Sequence, residues 1–219
     1  MNAASVALVQ TAASPPGRGV AAVGDTLNRP ELTLPPVEAA MLLALYRQAS
    51  VILEYGSGGS TLLASDLPGK RIYTVESDRV WIDKLHGWYA GYPPASMPLL
   101  WHADIGPTRK WGYPADEATF RLWPGYAQGI WDHPEFLPPD VVLVDGRFRL
   151  ACLLTVALRT LKPLTVLVDD YIDRPSYHVA EALLGAPAMI GRMAAFNVPP
   201  GLIAMDKLRL VVDSHLRPL

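Results

Sequence analysis

Five short apolar runs, each closed by a carboxylate, constrain this chain more than any other feature. Ser50-Val51-Ile52-Leu53 ends at Glu54, and Arg71 to Val75 ends at Glu76. Pro98 to Trp101 ends at His102-Ala103-Asp104. Asp140 to Val144 ends at Asp145, and Leu164 to Val168 ends at Asp169-Asp170. The segments between them mostly repeat apolar residues at helical spacing, as Val37, Met41, Leu42, Leu45 and Tyr46 do after Leu34-Pro35-Pro36. Strands alternating with helices predict an α/β fold: a mostly parallel sheet covered on both faces. Two last strands are expected at Met189 to Val198 and Leu208 to Val212, joined across Pro199-Pro200-Gly201. With no helix between them, at least one should be antiparallel. Ligands of such sheets bind outside the carboxyl ends of the strands. A carboxylate at one strand end is an ordinary solvated or capping acid; five in register point to a shared cleft.

The chain has 219 residues, half of them hydrophobic, which suits one elaborated α/β domain. Residues 1–30 read as an N-terminal arm and 31–219 as the domain. Ser77 is placed to cap the helix after the second strand. Residues 107–138 interrupt the alternation and are rich in Pro, Gly and aromatics. They read as an insertion, partly helical around Ala115 to Leu122, that forms either an acceptor-binding lid or a satellite core or homodimer contact. Nineteen Lys and Arg nearly balance 21 Asp and Glu, so charge gives no argument for nucleic acid or an anionic membrane. No apolar run reaches the ~18 residues of a membrane span. The one cysteine, Cys152, lies in an apolar stretch and reads as a buried thiol, compatible with a reducing cytoplasm.

The loop after the first strand is Glu54-Tyr55-Gly56-Ser57-Gly58-Gly59-Ser60-Thr61. Glycines there let backbone approach a ligand closely. An acidic cleft favours a cationic, hydroxyl-rich ligand, and S-adenosylmethionine is both. Glu76, at the next strand end, is placed to accept from ribose hydroxyls. A nicotinamide dinucleotide shares these needs. Against it, Thr61 stands where the dinucleotide fingerprint has its third glycine, and Glu54 is an awkward neighbour for a pyrophosphate. A Walker-type phosphate loop is excluded, since Gly-Lys-Ser/Thr is absent here.

Val51 to Thr61 resembles the first motif of class I S-adenosylmethionine-dependent methyltransferases, and Ile72 to Ser77 resembles their second. The resemblance implies a Rossmann-like, seven-stranded sheet with helices on both faces and the last strand antiparallel. It places Glu54 near the methionine end, Gly56, Ser57 and Gly58 along the cofactor, and Ser60 and Thr61 at the opening of the helix. Glu76, with Ser77, would hold the ribose, Asp104 and Ile105 would border the adenine, and Asp145 would complete the cofactor set. Asp145-Gly146-Arg147-Phe148-Arg149 with Asp169-Asp170-Tyr171 looks like a bacterial group of methyltransferase-like proteins of unassigned substrate.

Metal-dependent O-methyltransferases of this superfamily use an Asp after strand four and an Asp-Asn pair after strand five. By resemblance, Asp145, Asp169 and Asp170 are candidate ligands for a divalent ion such as Mg²⁺. The sequence departs from that pattern: Asp170 replaces Asn, and Phe148 stands where a catalytic Lys is expected. Alternatively, Arg147 or Arg149 pairs with these acids in place of a metal. Asp145, Arg147 and His133 are the candidate catalytic residues. Among the remaining polar residues, His102 and His178 read as structural or solvated, and Tyr171 either reaches the transfer point or packs. The expected activity is methyl transfer to a hydroxyl or other nucleophile of a small molecule. The rivals are an NAD(P)-dependent oxidoreductase and a non-catalytic protein that kept the fold.

Overall fold

The computed structural model describes residues 28–218. Most of the expected N-terminal arm lies outside them. The main sheet has seven strands in the order β3-β2-β1-β6-β7-β9-β8. These are β1 (Val51–Tyr55), β2 (Arg71–Glu76), β3 (Leu99–His102), β6 (Val141–Val144), β7 (Leu164–Val168), β8 (Ala188–Ile190) and β9 (Met193–Val198). Strands β3 to β7 along that order pair in parallel, and β9 is antiparallel to both β7 and β8. A two-stranded ribbon, β4 (Thr108–Arg109) with β5 (Tyr113–Pro114), stands apart within the insertion.

The helices are α1 (Pro36–Gln48), α2 (Gly59–Ser65), α3 (Arg79–Gly91), α4 (Pro124–Gln128), α5 (Arg149–Arg159), α6 (Glu181–Leu184) and α7 (Leu208–Ser214). Strand residues alternate between two buried layers, as a period of two demands. Ile52, Ile72, Val141, Leu143 and Leu167 pack with Leu42 and Tyr46 of α1. Leu53, Tyr55, Tyr73, Val75, Val142 and Val144 pack with α5 and the insertion. Among the described residues, no helix is long and apolar enough to cross a membrane.

Four local expectations are corrected. Met189 to Val198 is a hairpin rather than one strand. Gly191, at φ +56°, permits a turn of two residues, Gly191-Arg192, between Ile190 and Met193. Leu208 to Val212 is helical, because Val211 and Ser214 are its buried positions and that three-residue spacing belongs to a helix. The regular helix of the insertion begins at Pro124, later than Ala115, where proline fits the first turn. Asp78 caps α3 by accepting from the Trp81 amide at 3.2 Å. The Ser77 hydroxyl donates instead to the Gly112 carbonyl, 3.0 Å away.

Candidate active site

The sheet order reverses between β1 and β6, and a cavity of about 940 Å³ opens over their carboxyl ends. Gly56, at φ +98°, and Gly146 bring the two loops into backbone contact there. A Cβ on Gly56 would lie 2.7 Å from the Gly146 nitrogen. One on Gly146 would lie 2.8 Å from the Gly56 nitrogen and collide with the Tyr126 hydroxyl. Only glycine on both sides allows this crossing, and it sets Asp145 beside the first loop.

Gly56, Ser57, Gly58, Gly59 and Ser60 form one wall. Several amides of this loop are already engaged within the protein. Gly56 donates to the Val75 carbonyl at 2.8 Å, Ser57 to Glu76 Oε2 at 3.2 Å, and Gly58 to Thr61 Oγ1 at 3.1 Å. Glu76 lines the cavity. It is held by the Ser57 hydroxyl at 2.9 Å and by the amides of Ser77 and Asp78 at 2.8 and 2.9 Å. It is thus a fixed, acceptor-only group facing the ligand space. Trp81 joins the wall and donates its indole N–H to the Ser57 carbonyl at 3.0 Å.

Glu54 faces elsewhere. It shares the parity of Ile52, so its side chain points to the α1 layer and is fully buried. It accepts from Tyr46 Oη at 2.7 Å and Thr74 Oγ1 at 2.9 Å. Burial pushes this carboxyl up, and the hydroxyls of Thr61, Tyr46, Ser60 and Thr74 oppose the rise. Its role is to hold the first loop from beneath, and the expectation that it faces the ligand or repels a pyrophosphate is overturned. Thr61 is likewise buried beneath the loop.

The end of β3 also stays out of the cavity lining. Asp104 is exposed and accepts from the Gly106 amide at 2.9 Å, and Ile105 is buried. The insertion intervenes, placing Lys110, Trp111, Gly112 and Tyr113 along the cavity with Gly112 seated on Ser77. Only part of the five-carboxylate cleft is therefore realised: Glu76, Asp145, Asp169 and Asp170 line it. His133 is also corrected. Its ring meets the edge of Trp101 at 5.4 Å, and its Nδ1 accepts from the Glu135 amide, outside the cavity lining. Tyr171 packs, donating to Glu181 at 3.0 Å, and the His178 ring contacts the Tyr171 carbonyl at 3.1 Å. His102 sits against the Ser77 carbonyl.

Asp145, Asp169 and Asp170 do converge, with one oxygen from each within 4.8 Å of the others. Arg149, nearly fully buried, joins the ends of β6 and β7. It donates to the carbonyls of Gly146 and Asp169, and reaches Asp145 Oδ1 at 3.0 Å and Asp170 Oδ2 at 3.2 Å. Arg192 meets Asp169 with two nitrogens, at 2.9 and 2.6 Å, and Asp170 Oδ1 at 3.3 Å. Among the described residues, Asp145 accepts from Arg149 through Oδ1, and its Oδ2 accepts no hydrogen bond. The donor atoms suit a hard cation, but the arginines already occupy them, so the residues present do not fit a resident divalent ion. Arg149, rather than Arg147, makes the expected pairings. Arg147 lies over the Tyr113 ring, 4.1 Å from its centroid.

Enclosure by protein pushes the Asp145 carboxyl up to about 7. Arg149 opposes this most strongly, Asp169 and Asp170 reinforce it, and Arg192 opposes it weakly. Asp145 therefore exchanges a proton near neutrality. Among the described residues, the three non-glycine residues with left-handed backbone, Trp111, Phe148 and Asp170, lie in this region, and such strain tends to collect at functional sites.

The sequence reading did not include Trp81, Lys84, Tyr126, Arg174 and Arg192 among the site residues. An Arg after a Gly turn, as at Gly191-Arg192, carries no local signal of where it will reach.

Of the insertion's aromatics, Trp123 and Tyr126 are buried in the core with Phe148, and Tyr126 also lines the cavity, as Trp111 and Tyr113 do.

A scan against protein-family models finds no match, and a search of curated proteins finds none. Among solved structures, a methyltransferase-like protein from Silicibacter pomeroyi is 47% identical, with a TM-score of 0.84. That alignment covers 87% of this chain and 99% of the other. The O-methyltransferase TomG from Streptomyces achromogenes, solved with S-adenosylmethionine, is 17% identical over 78% of this chain and 82% of its own, with a TM-score of 0.50. An O-methyltransferase from Bacillus cereus, solved with S-adenosylhomocysteine, is 13% identical over 75% and 80%, with a TM-score of 0.52. The last two share the fold alone. Sheet order, glycine loop and close relative together establish that this chain belongs to the same family as that methyltransferase-like protein and has the fold of class I S-adenosylmethionine-dependent methyltransferases.

Proposed function

We propose that this protein binds S-adenosylmethionine and transfers its methyl group to a hydroxyl of a small molecule, with Asp145 taking the proton. The observation that carries the reading is the loop–carboxylate unit at the switch point. The backbone of Gly56 to Ser60 is open to the cavity, and Glu76 is locked beside it by four protein donors. That unit offers acceptors for a ribose diol. It has few free amides for a pyrophosphate, because those of Gly56, Ser57 and Gly58 are already used. This disfavours a nicotinamide dinucleotide on grounds better than the position of Glu54.

When bound, S-adenosylmethionine supplies an electrophilic methyl group on a sulfonium. The chain's own residues then position the acceptor and manage its proton. Asp145 sits beside Gly56, and its Oδ2 accepts no hydrogen bond among the described residues. A carboxylate poised near neutrality can accept the hydroxyl proton as the carbon–oxygen bond forms and the carbon–sulfur bond breaks. Arg149 and Arg192 hold Asp169 and Asp170 in place and need no metal to do so. The enclosed, aromatic-edged cavity suits a small acceptor.

Calorimetry with S-adenosylhomocysteine and NAD⁺ tests the cofactor. Saturable binding of the first, weakened at least about tenfold in Glu76→Ala, is expected. Binding of NAD⁺ alone would overturn the reading. Incubation with methyl-labelled cofactor and a panel of hydroxylated small molecules tests transfer. Any activity found should rise with pH to a plateau above about 7 in step with Asp145, and be unchanged by chelator. Strict dependence on added Mg²⁺ would restore the metal reading. Tight cofactor binding with no transfer across the panel would favour a non-catalytic protein that kept the fold.

A further inference from the structure

Six acids and six bases line the cavity, so its acids leave no surplus of negative charge before any ligand enters. On one side the acids are committed. Asp145, Asp169 and Asp170 are matched by Arg149 and Arg192. Arg147 is different. Its guanidinium stacks over the Tyr113 ring, and among the described residues it has no carboxylate within salt-bridge range. Its Nε–H is buried without an acceptor. Leaving such a donor unmet is costly, and most costly for a charged group. Arg174, which also lines the cavity, has its nearest carboxylate, Asp170, only at the long distance of 3.9 Å.

We infer that Arg147, which lines the same cavity as Arg174, is an oxyanion-binding subsite, and that the methyl acceptor carries a carboxylate or phosphate group. This inference rests on the methyltransferase reading. S-adenosylmethionine brings a net charge of +1, from sulfonium, ammonium and carboxylate. With the cofactor seated in this cavity, a neutral acceptor leaves that charge uncompensated, whereas an anionic acceptor cancels it. The Tyr113 ring, 4.1 Å from the guanidinium carbon, backs one side of the group, and a planar guanidinium is suited to bidentate contact with an oxyanion. An Arg two residues after Asp145 would anchor the acceptor's anionic end while its hydroxyl meets Asp145.

The test uses the full chain with S-adenosylhomocysteine bound, titrated with benzoate and separately with inorganic phosphate. Binding is followed by calorimetry and by the Arg Nε–H resonances. Saturable binding of either anion is expected, with the Arg147 signal shifting. Arg147→Met should weaken it at least tenfold while changing S-adenosylhomocysteine affinity less than twofold. The stronger of the two probes assigns carboxylate or phosphate. Arg147→Lys, which keeps charge but loses the planar fork, should recover part of the loss and shows that the Met variant's defect is not misfolding. Failure of both anions to bind, or equal binding in Arg147→Met, overturns the inference. So does a tenfold loss of S-adenosylhomocysteine affinity in that variant, which would assign Arg147 to the cofactor's own carboxylate. The same titration on ligand-free protein separates the two claims. Anion binding at Arg147 without any cofactor binding would support the subsite and sink the methyltransferase reading.

Discussion

Asp145 contributes to stability in a direction opposite to that of most surface carboxylates. Its carboxyl is held up near 7 in the folded chain, against 3.8 for the free group. Between those values the folded protein keeps a proton that the unfolded chain has lost. The contribution of this residue therefore falls as pH rises through the window, and levels off above about 7. Asp145→Asn removes the effect. Relative to the wild type, urea unfolding should find the variant more stable at pH 8 than at pH 5, by at least about 1 kcal/mol. A difference that does not depend on pH would show that Asp145 is ionised throughout. Glu54 is the contrasting residue. Its two oxygens are both met by hydroxyls in the core, so Glu54→Gln should fold, whereas Glu54→Ala should cost about 2–3 kcal/mol by leaving Tyr46 and Thr74 unpaired and opening a void. Thermal denaturation of both variants checks this.

The strand-to-loop units carry most of what could be foreseen. Apolar runs and the acids that end them located β1, β2, β6 and β7 within a residue or so, and with them Glu76, Asp145, Asp169 and Asp170. Glu54 stays out of the cavity because β1 runs one residue past it, to Tyr55, which leaves the carboxylate enclosed by Tyr46 and Thr74; where a strand ends relative to its acid cannot be read from the apolar run alone. The arginines were half legible. Arg149 lies close to its partner Asp145 in sequence, but Arg192 reaches Asp169 and Asp170 only after the β8–β9 hairpin has folded back. The crossing of the β1 and β6 loops depends on two glycines at once. Gly146→Ala would force a methyl group into the Tyr126 hydroxyl and the Gly56 backbone. It should destabilise the protein by about 1–3 kcal/mol and weaken S-adenosylhomocysteine binding. Adding Tyr126→Phe should recover only part of the loss, because the Gly56 clash remains. Chemical denaturation and calorimetry on the single and double variants measure both effects.

Across the whole molecule, the first helix and the antiparallel edge are tied to one site. Glu38 on α1 is buried, and its Oε1 accepts from the Arg192 amide at 2.9 Å, so it holds the turn that delivers Arg192 to Asp169. Glu38→Ala should lower hydrogen-exchange protection across β8 and β9 while leaving β1 and β6 protected. If β1 loses protection equally, the hairpin and the central strands open as one unit.

The same Glu38 contact spans 154 positions of chain. During synthesis, Asp169 and Asp170 therefore leave the ribosome before the hairpin that supplies Arg192, and for that interval Arg149 and the more distant Arg174 face three carboxylates. The acidic centre is completed late in the nascent polypeptide, and a message truncated ahead of residue 192 would leave it short of one of its counter-ions.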